Sequence, residues 1–189
     1  PGRLAAMYGA AALPAVLAQA GASPVALGAA VLAGALAVAA TSVSGARRDS
    51  DNPALARIIG VGHRPALAAR ALLPMLLSGA WAGLVVAGLS AFSGAWWLFG
   101  LLTAPALAAG ALRMARRSPI DHSMPVIDTP GGAIPTGPLI WAATGVDLAV
   151  LGCLPAIAAL LSPPGAPGGF LVAQGVFGVL TLVGYVWRR

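Results

Sequence analysis

The chain has 189 residues, 59 % of them hydrophobic and 8 % charged, against about 25 % charged residues in an average soluble domain. So few charges cannot cover a water-soluble globular enzyme, and so apolar a chain is not a disordered one, which leaves a polytopic integral membrane protein. The net charge of +6 is carried by arginine and aspartate alone; arginine retained on the cytoplasmic side of a membrane accounts for it without nucleic-acid binding.

In chain order, six apolar segments predict six membrane-crossing helices, over about 4–20, 24–43, 66–92, 95–112, 138–161 and 169–187. At about 1.5 Å per residue each is long enough to cross a hydrocarbon layer of about 30 Å, some with tilt. The first follows Arg3 and ends on Ala18-Gln19-Ala20, a pattern shared with signal peptides. The chain begins at Pro1 rather than Met, so the expectation is a retained helix in a chain that could be one piece of a longer protein. Uncharged turns at Gly21-Ala22-Ser23-Pro24, at Ser93-Gly94 and over 162–168 separate some spans. The other connections and the two ends hold the arginines. Arg3 comes first; Arg47, Arg48, Arg57 and Arg64 follow, with Arg70 opening span three. Arg113, Arg116 and Arg117 come next, and Arg188 and Arg189 end the chain. Alternation puts these four groups on one side, the cytoplasm by the positive-inside tendency. The expected fold is therefore all-α: one multi-pass transmembrane domain in the cell (inner or plasma) membrane, with six helices and both termini cytoplasmic. Phe92, Trp96, Trp97 and Phe170 fall at the outer boundary, and Tyr8, Trp141, Tyr185 and Trp187 near the inner one, as aromatic belts require.

Within the spans, Gly79 with Gly83 and Ala30 with Gly34 have the small-xxx-small spacing that lets helices approach, a spacing any Ala/Gly-rich span also contains by chance. Pro14, Pro74, Pro105 and Pro155 each remove a backbone hydrogen bond and are expected to kink their helices. Cys153 reads as a small buried hydrophobe.

The first inner loop, 44–65, contains Asn52 as an N-cap and Pro53 at the first helical position. Leu55, Ile58 and Ile59 then recur at helical spacing, with Arg57 between them and Gly60 and Gly62 after them. This predicts a short amphipathic helix parallel to the membrane, either an interfacial anchor or a helix that docks in a partner's groove. The second inner loop, 113–137, is rich in proline and should be extended and turned, with Gly131-Gly132 as a turn. Residues 138–143 have an alternative reading as a second interfacial helix, with Asp147 then capping a span that begins at Leu148. Asp147 is the one acid inside an apolar segment. It is either a proton or cation site, with no other intramembrane charge to pair it, or a helix cap at the interface.

Catalytic patterns are missing. His63 and His122, with Asp121 and Asp128, do not have metal-ligand spacing. There is no Gly-x-Ser-x-Gly elbow, and no lysine exists for a nucleotide-binding P-loop. The expectation is no enzyme activity, no metal site and no cofactor in this chain.

The predicted layout of six spans, inward termini, tiny outer loops and a short helix in the first inner loop resembles the membrane subunit of ABC-2-type exporters. The matching residues are 52–64, including Asn52, Leu55, Arg57, Ile58, Ile59, His63 and Arg64, together with the Arg-Pro-x-Leu-x-x-Arg-x-Leu-Leu-Pro run from Arg64 to Pro74. The stretch from Pro125 to Gly137, with Gly145-Val146-Asp147, is similar to uncharacterised actinobacterial permeases, of which this chain would be a C-terminal six-span half. The resemblance implies that residues 52–64 form a coupling helix docking on a separate ABC ATPase subunit, which would hold ATP and magnesium. It also implies a second permease half or subunit as partner, and export of a hydrophobic or amphipathic substrate. The turn between spans five and six departs from the family, many of whose members carry re-entrant helices there. The competing readings are a non-transporting membrane scaffold or accessory subunit, and a proton-coupled carrier using Asp147.

Overall fold

The computed structural model describes residues 2–51, 62–89, 94–121, 123–162 and 167–188. In chain order they form α1 (Gly2–Gln19), α2 (Pro24–Ser42), α3 (Ser44–Asp51), α4 (His63–Gly88), a 3-10 turn (Gly94–Trp96) leading into α5 (Trp97–Ala115), β1 (Val126–Thr129), β2 (Gly132–Pro135), α6 (Thr136–Ala143), α7 (Val146–Gly152), α8 (Leu154–Leu161) and α9 (Gly168–Trp187).

Among these residues, four helices are long and apolar enough to cross a membrane: Pro24–Ser42, His63–Gly88, Gly94–Ala115 and Gly168–Trp187. They coincide with the expected spans two, three, four and six. Large apolar side chains such as Leu72, Leu76 and Leu84 on α4 and Val172 and Val179 on α9 face outward. In water those faces would be costly to expose; in a bilayer they meet lipid tails. Local chemistry sets the ends. Ser23 caps α2, its hydroxyl accepting from the Ala26 N–H at 3.3 Å, with Pro24 as the first helical residue. Gly21, at φ +72°, makes the turn before it.

The bundle is built around α5. Its apolar window is 61 % buried, against 17 % for α9, so α5 is central and α9 peripheral. The helix can be central because its inward positions are small. Gly100, Ala104, Ala106, Ala108, Ala109, Gly110 and Ala111 are all buried. The spacing of Gly79 and Gly83 on α4 receives α5 directly: a Cβ on Gly100 would stand 2.6 Å from the Ala82 carbonyl carbon, and one on Gly79 3.0 Å from the Ala104 Cβ. The core is layered along the bundle. Phe99, Ala156 and Ala159 pack with Trp96 and Phe170 at one end. Val31, Ala35, Ala82, Val86, Leu107 and Cys153 fill the middle. Ala39, Val43, Leu67, Ala71, Leu112 and Tyr185 close the other end.

One expectation is corrected and three take definite form. The segment expected as span five, 138–161, is not one helix but α6, α7 and α8, with breaks at Thr144-Gly145 and at Cys153. Gly145, at φ +96°, turns the chain between α6 and α7 against the Gly110 backbone, a conformation that a side chain would strain. The loop 44–65 begins with a helix, α3, which follows α2 after Val43. The loop 113–137 is extended and turned, in an antiparallel hairpin with Ile127 opposite Ile134 and Thr129 opposite Gly132, the one sheet among the described residues; its turn falls at Pro130-Gly131, one residue before the expected Gly131-Gly132. Pro130 fixes φ in its turn and Gly132 takes φ +120°. Finally, the intrahelical prolines do not act alike: Pro14, Pro74 and Pro105 lie inside uninterrupted helices, and only near Pro155 is the helix divided.

Candidate functional site: the basic end and the divided helix

The end of the bundle closed by Leu67, Leu112 and Tyr185 gathers arginines from four elements, because α3 follows α2, α4 begins there, and α5 and α9 end there. Two aspartates are tied into it. Arg70 on α4 grips Asp49 on α3 with two hydrogen bonds, Nε to Oδ2 at 2.9 Å and Nη2 to Oδ1 at 3.2 Å. Arg113, in the last turn of α5, lies 3.1 Å from Asp147 Oδ2. Both pairs are about half exposed, so each is worth at most about 1 kcal/mol; their role is to fix α3 on α4 and the start of α7 on the end of α5.

The other arginines here pack against polar and aromatic groups. Arg117 lies over the Trp141 ring, 3.1 Å from its centroid, and donates from Nη1 to the Trp141 carbonyl at 3.2 Å. Burial, and then the nearby Arg47 charge, pull Arg117 below the usual guanidinium range. Arg116 Nη2 lies 2.8 Å from His63 Nε2, so the neutral ring accepts there. Arg64 is exposed beside His63 at the start of α4.

Asp147 has a charged partner, Arg113, which the sequence did not reveal. It is not the cap itself. Gly145 is the N-cap, and Asp147 is the second residue of α7. Its Oδ1 accepts from the Gly145 N–H at 2.8 Å and the Leu148 N–H at 2.7 Å, while Oδ2 faces Arg113. A carboxylate placed there satisfies helix-end donors and suits the positive dipole end. Of the residues assigned to a coupling helix, His63 and Arg64 are placed at this end; Asn52, Leu55, Arg57, Ile58 and Ile59 lie outside the described residues. Among the described residues, no group of three or more His, Cys, Asp or Glu side chains could hold a metal ion.

No family model, curated protein or solved structure matches this chain. The residues themselves therefore carry the interpretation, and one of them was not singled out from the sequence. Gln174 on α9 is fully buried. Its Oε1 accepts from the Ala156 N–H at 3.1 Å and its Nε2 donates to the Gly152 carbonyl at 2.9 Å. In a continuous helix Ala156 N–H would bond to Gly152 C=O, four residues back. The Gln174 amide is inserted into that one bond and completes both halves, while Pro155 supplies no N–H to its own. Below the break the ladder resumes, with Ile157 N–H donating to the Cys153 carbonyl at 3.0 Å. The available signal was a lone amide in an otherwise apolar span, facing a span that carries a proline.

The divided helix is flanked by two grooves. One, of about 500 Å³, runs between α2 and α7–α8 and is lined by Ala29, Leu36, Leu107, Val150 and Ile157. The other, of about 660 Å³, runs between α7–α8 and α9.

Proposed function

We propose that the chain is the membrane permease component of an ABC-type exporter, with six spans and both termini on the cytoplasmic side of the cell membrane, moving a hydrophobic or amphipathic substrate under power from a separate ATPase subunit. The observation that carries this reading is the anchoring of the first inner loop. Residues 52–61 connect α3 to α4, and the Arg70–Asp49 fork fastens those two helices to each other. A force applied to that stretch by a docked ATPase would be delivered to α2 and α4 as a unit rather than absorbed by a slack loop. α4 packs on the central helix α5, and α5 packs on the divided α7–α8, which has the break and flanking grooves a moving element needs. The apolar lining of the groove beside α2 suits a hydrophobic or amphipathic cargo better than an ion.

The test is co-purification of an ATP-binding subunit with the full chain from its own membranes. Ile58→Asp with Ile59→Asp is expected to abolish that association while the protein still inserts with native helical content by circular dichroism. Association that survives both changes removes the coupling-helix assignment, and a stable partner that binds no ATP favours the scaffold reading. The carrier reading predicts that Asp147→Asn stops transport. The ion pair and backbone bonds of Asp147 lead us to expect transport retained and a stability loss of about 1 kcal/mol or less, measured by thermal unfolding in detergent.

A further inference from the structure

The groove between α7–α8 and α9 differs from the one beside α2 in its charge. Its walls are apolar, with Leu151, Leu154, Phe177 and Leu180 all substantially exposed along it. Its end at the basic side of the bundle is lined by Arg113 and Arg188. Arg113 shares Asp147, whereas Arg188 faces no carboxylate within ion-pair distance among the described residues. The groove therefore has an apolar length and a cationic mouth, and α9 leaves it open along its uncovered face. Its volume of about 660 Å³ lies within the ~300–1,000 Å³ of ordinary ligand sites.

We propose that this groove holds an anionic phospholipid of the leaflet at the basic end, its phosphate between Arg113 and Arg188 and one acyl chain along Leu151, Leu154, Phe177 and Leu180. A free anion would use the arginines and leave the apolar length empty. A second copy of this chain seated on α9 would bury Arg188 opposite another basic end. An anionic amphiphile matches both parts, and basic recesses between spanning helices at that depth are where such headgroups are held. The proposal rests on the chain spanning a membrane and not on its being an exporter subunit. It gives the lipid a structural place: wedged between α9 and the divided helix, it would brace the break that Gln174 fills.

The test uses the full chain purified in mild detergent and examined by native mass spectrometry with dioleoyl phosphatidylglycerol or dioleoyl phosphatidylcholine added. Phosphatidylglycerol is expected to bind preferentially. Arg188→Gln should weaken it about fivefold, the contribution of one arginine near a charged headgroup. Leu151→Trp should displace it by filling the groove, with helical content unchanged by circular dichroism. Excess inorganic phosphate should leave it bound. Equal retention of the two lipids, full phosphatidylglycerol binding by Arg188→Gln, or loss of the lipid to inorganic phosphate would each overturn the proposal. So would a disulfide-linked dimer of Leu180→Cys that forms to the same extent with and without phosphatidylglycerol, which would assign the face to a second copy.

Discussion

Gln174 is the only fully buried amide among the described residues, and its two bonds determine what its loss should do. Gln174→Leu keeps the approximate volume but withdraws both the acceptor for Ala156 N–H and the donor for Gly152 C=O. Leaving buried backbone groups unpaired costs about 1–3 kcal/mol, and thermal unfolding in detergent should show a loss of that size. Gln174→Glu, which keeps the acceptor, should lose less if the carboxyl is protonated. An unchanged midpoint in the leucine variant would mean that the divided helix re-forms its own bond without cost. Ser78 and Thr103, also buried, illustrate a humbler solution: each hydroxyl returns a bond to a carbonyl of its own helix, Pro74 at 2.7 Å and Gly100 at 3.1 Å. The sequence marks all three as polar residues in apolar spans, but only the fold distinguishes a side chain that bonds its own helix from one that bridges to another.

At the scale of elements, the α4–α5 crossing is the tightest contact to test. Gly100→Ala would push a methyl group into the Ala82–Gly83 backbone, which cannot yield as a side chain can, at a cost of about 1–3 kcal/mol. Gly88→Ala is the control, because nothing lies within 4 Å of that position, and it should change stability by less than about 0.5 kcal/mol. Denaturant or thermal unfolding of the two variants side by side tests the crossing; equal effects would dismiss it. Much of this level was legible beforehand. Spans two, three, four and six follow from runs of apolar residues between turn signals, because length and composition suffice for a membrane helix. The division of 138–161 was only half legible. Residues 138–143 admitted a separate helix, since Gly145 and Asp147 announce a new helix start. The break at Cys153 did not announce itself, because Pro155 resembles Pro74 and Pro105, which leave their helices whole. What separates them is a partner amide 18 residues ahead of Ala156, a long-range pairing that local pattern does not encode.

For the whole molecule, the basic end predicts orientation. The one native cysteine, Cys153, is buried, so a single new cysteine can report its own side. Arg48→Cys should react with a membrane-impermeant maleimide in inside-out vesicles and be protected in intact cells, while Ser162→Cys should do the opposite. Labelling of both from the same side would overturn the topology that the arginines imply. The clustering of arginine was readable from the chain alone, since it depends only on which loops carry charge. How those charges are used was not: Asp49 reaching Arg70, Asp147 reaching Arg113 and Arg117 stacking on Trp141 each join residues at least 21 positions apart. One arrangement also bears on how the chain is made. The segment 146–161 leaves the ribosome before α9, so when it first enters lipid it has no Gln174. Until α9 follows, Ala156 N–H and Gly152 C=O lack the Gln174 amide, and in lipid the partner within reach of each is the other, which closes the ladder that is broken once α9 is in place. The break is then imposed late, by the arrival of α9, and a nascent chain halted after residue 161 should present a different, more regular helix to the membrane than the chain that includes α9 does.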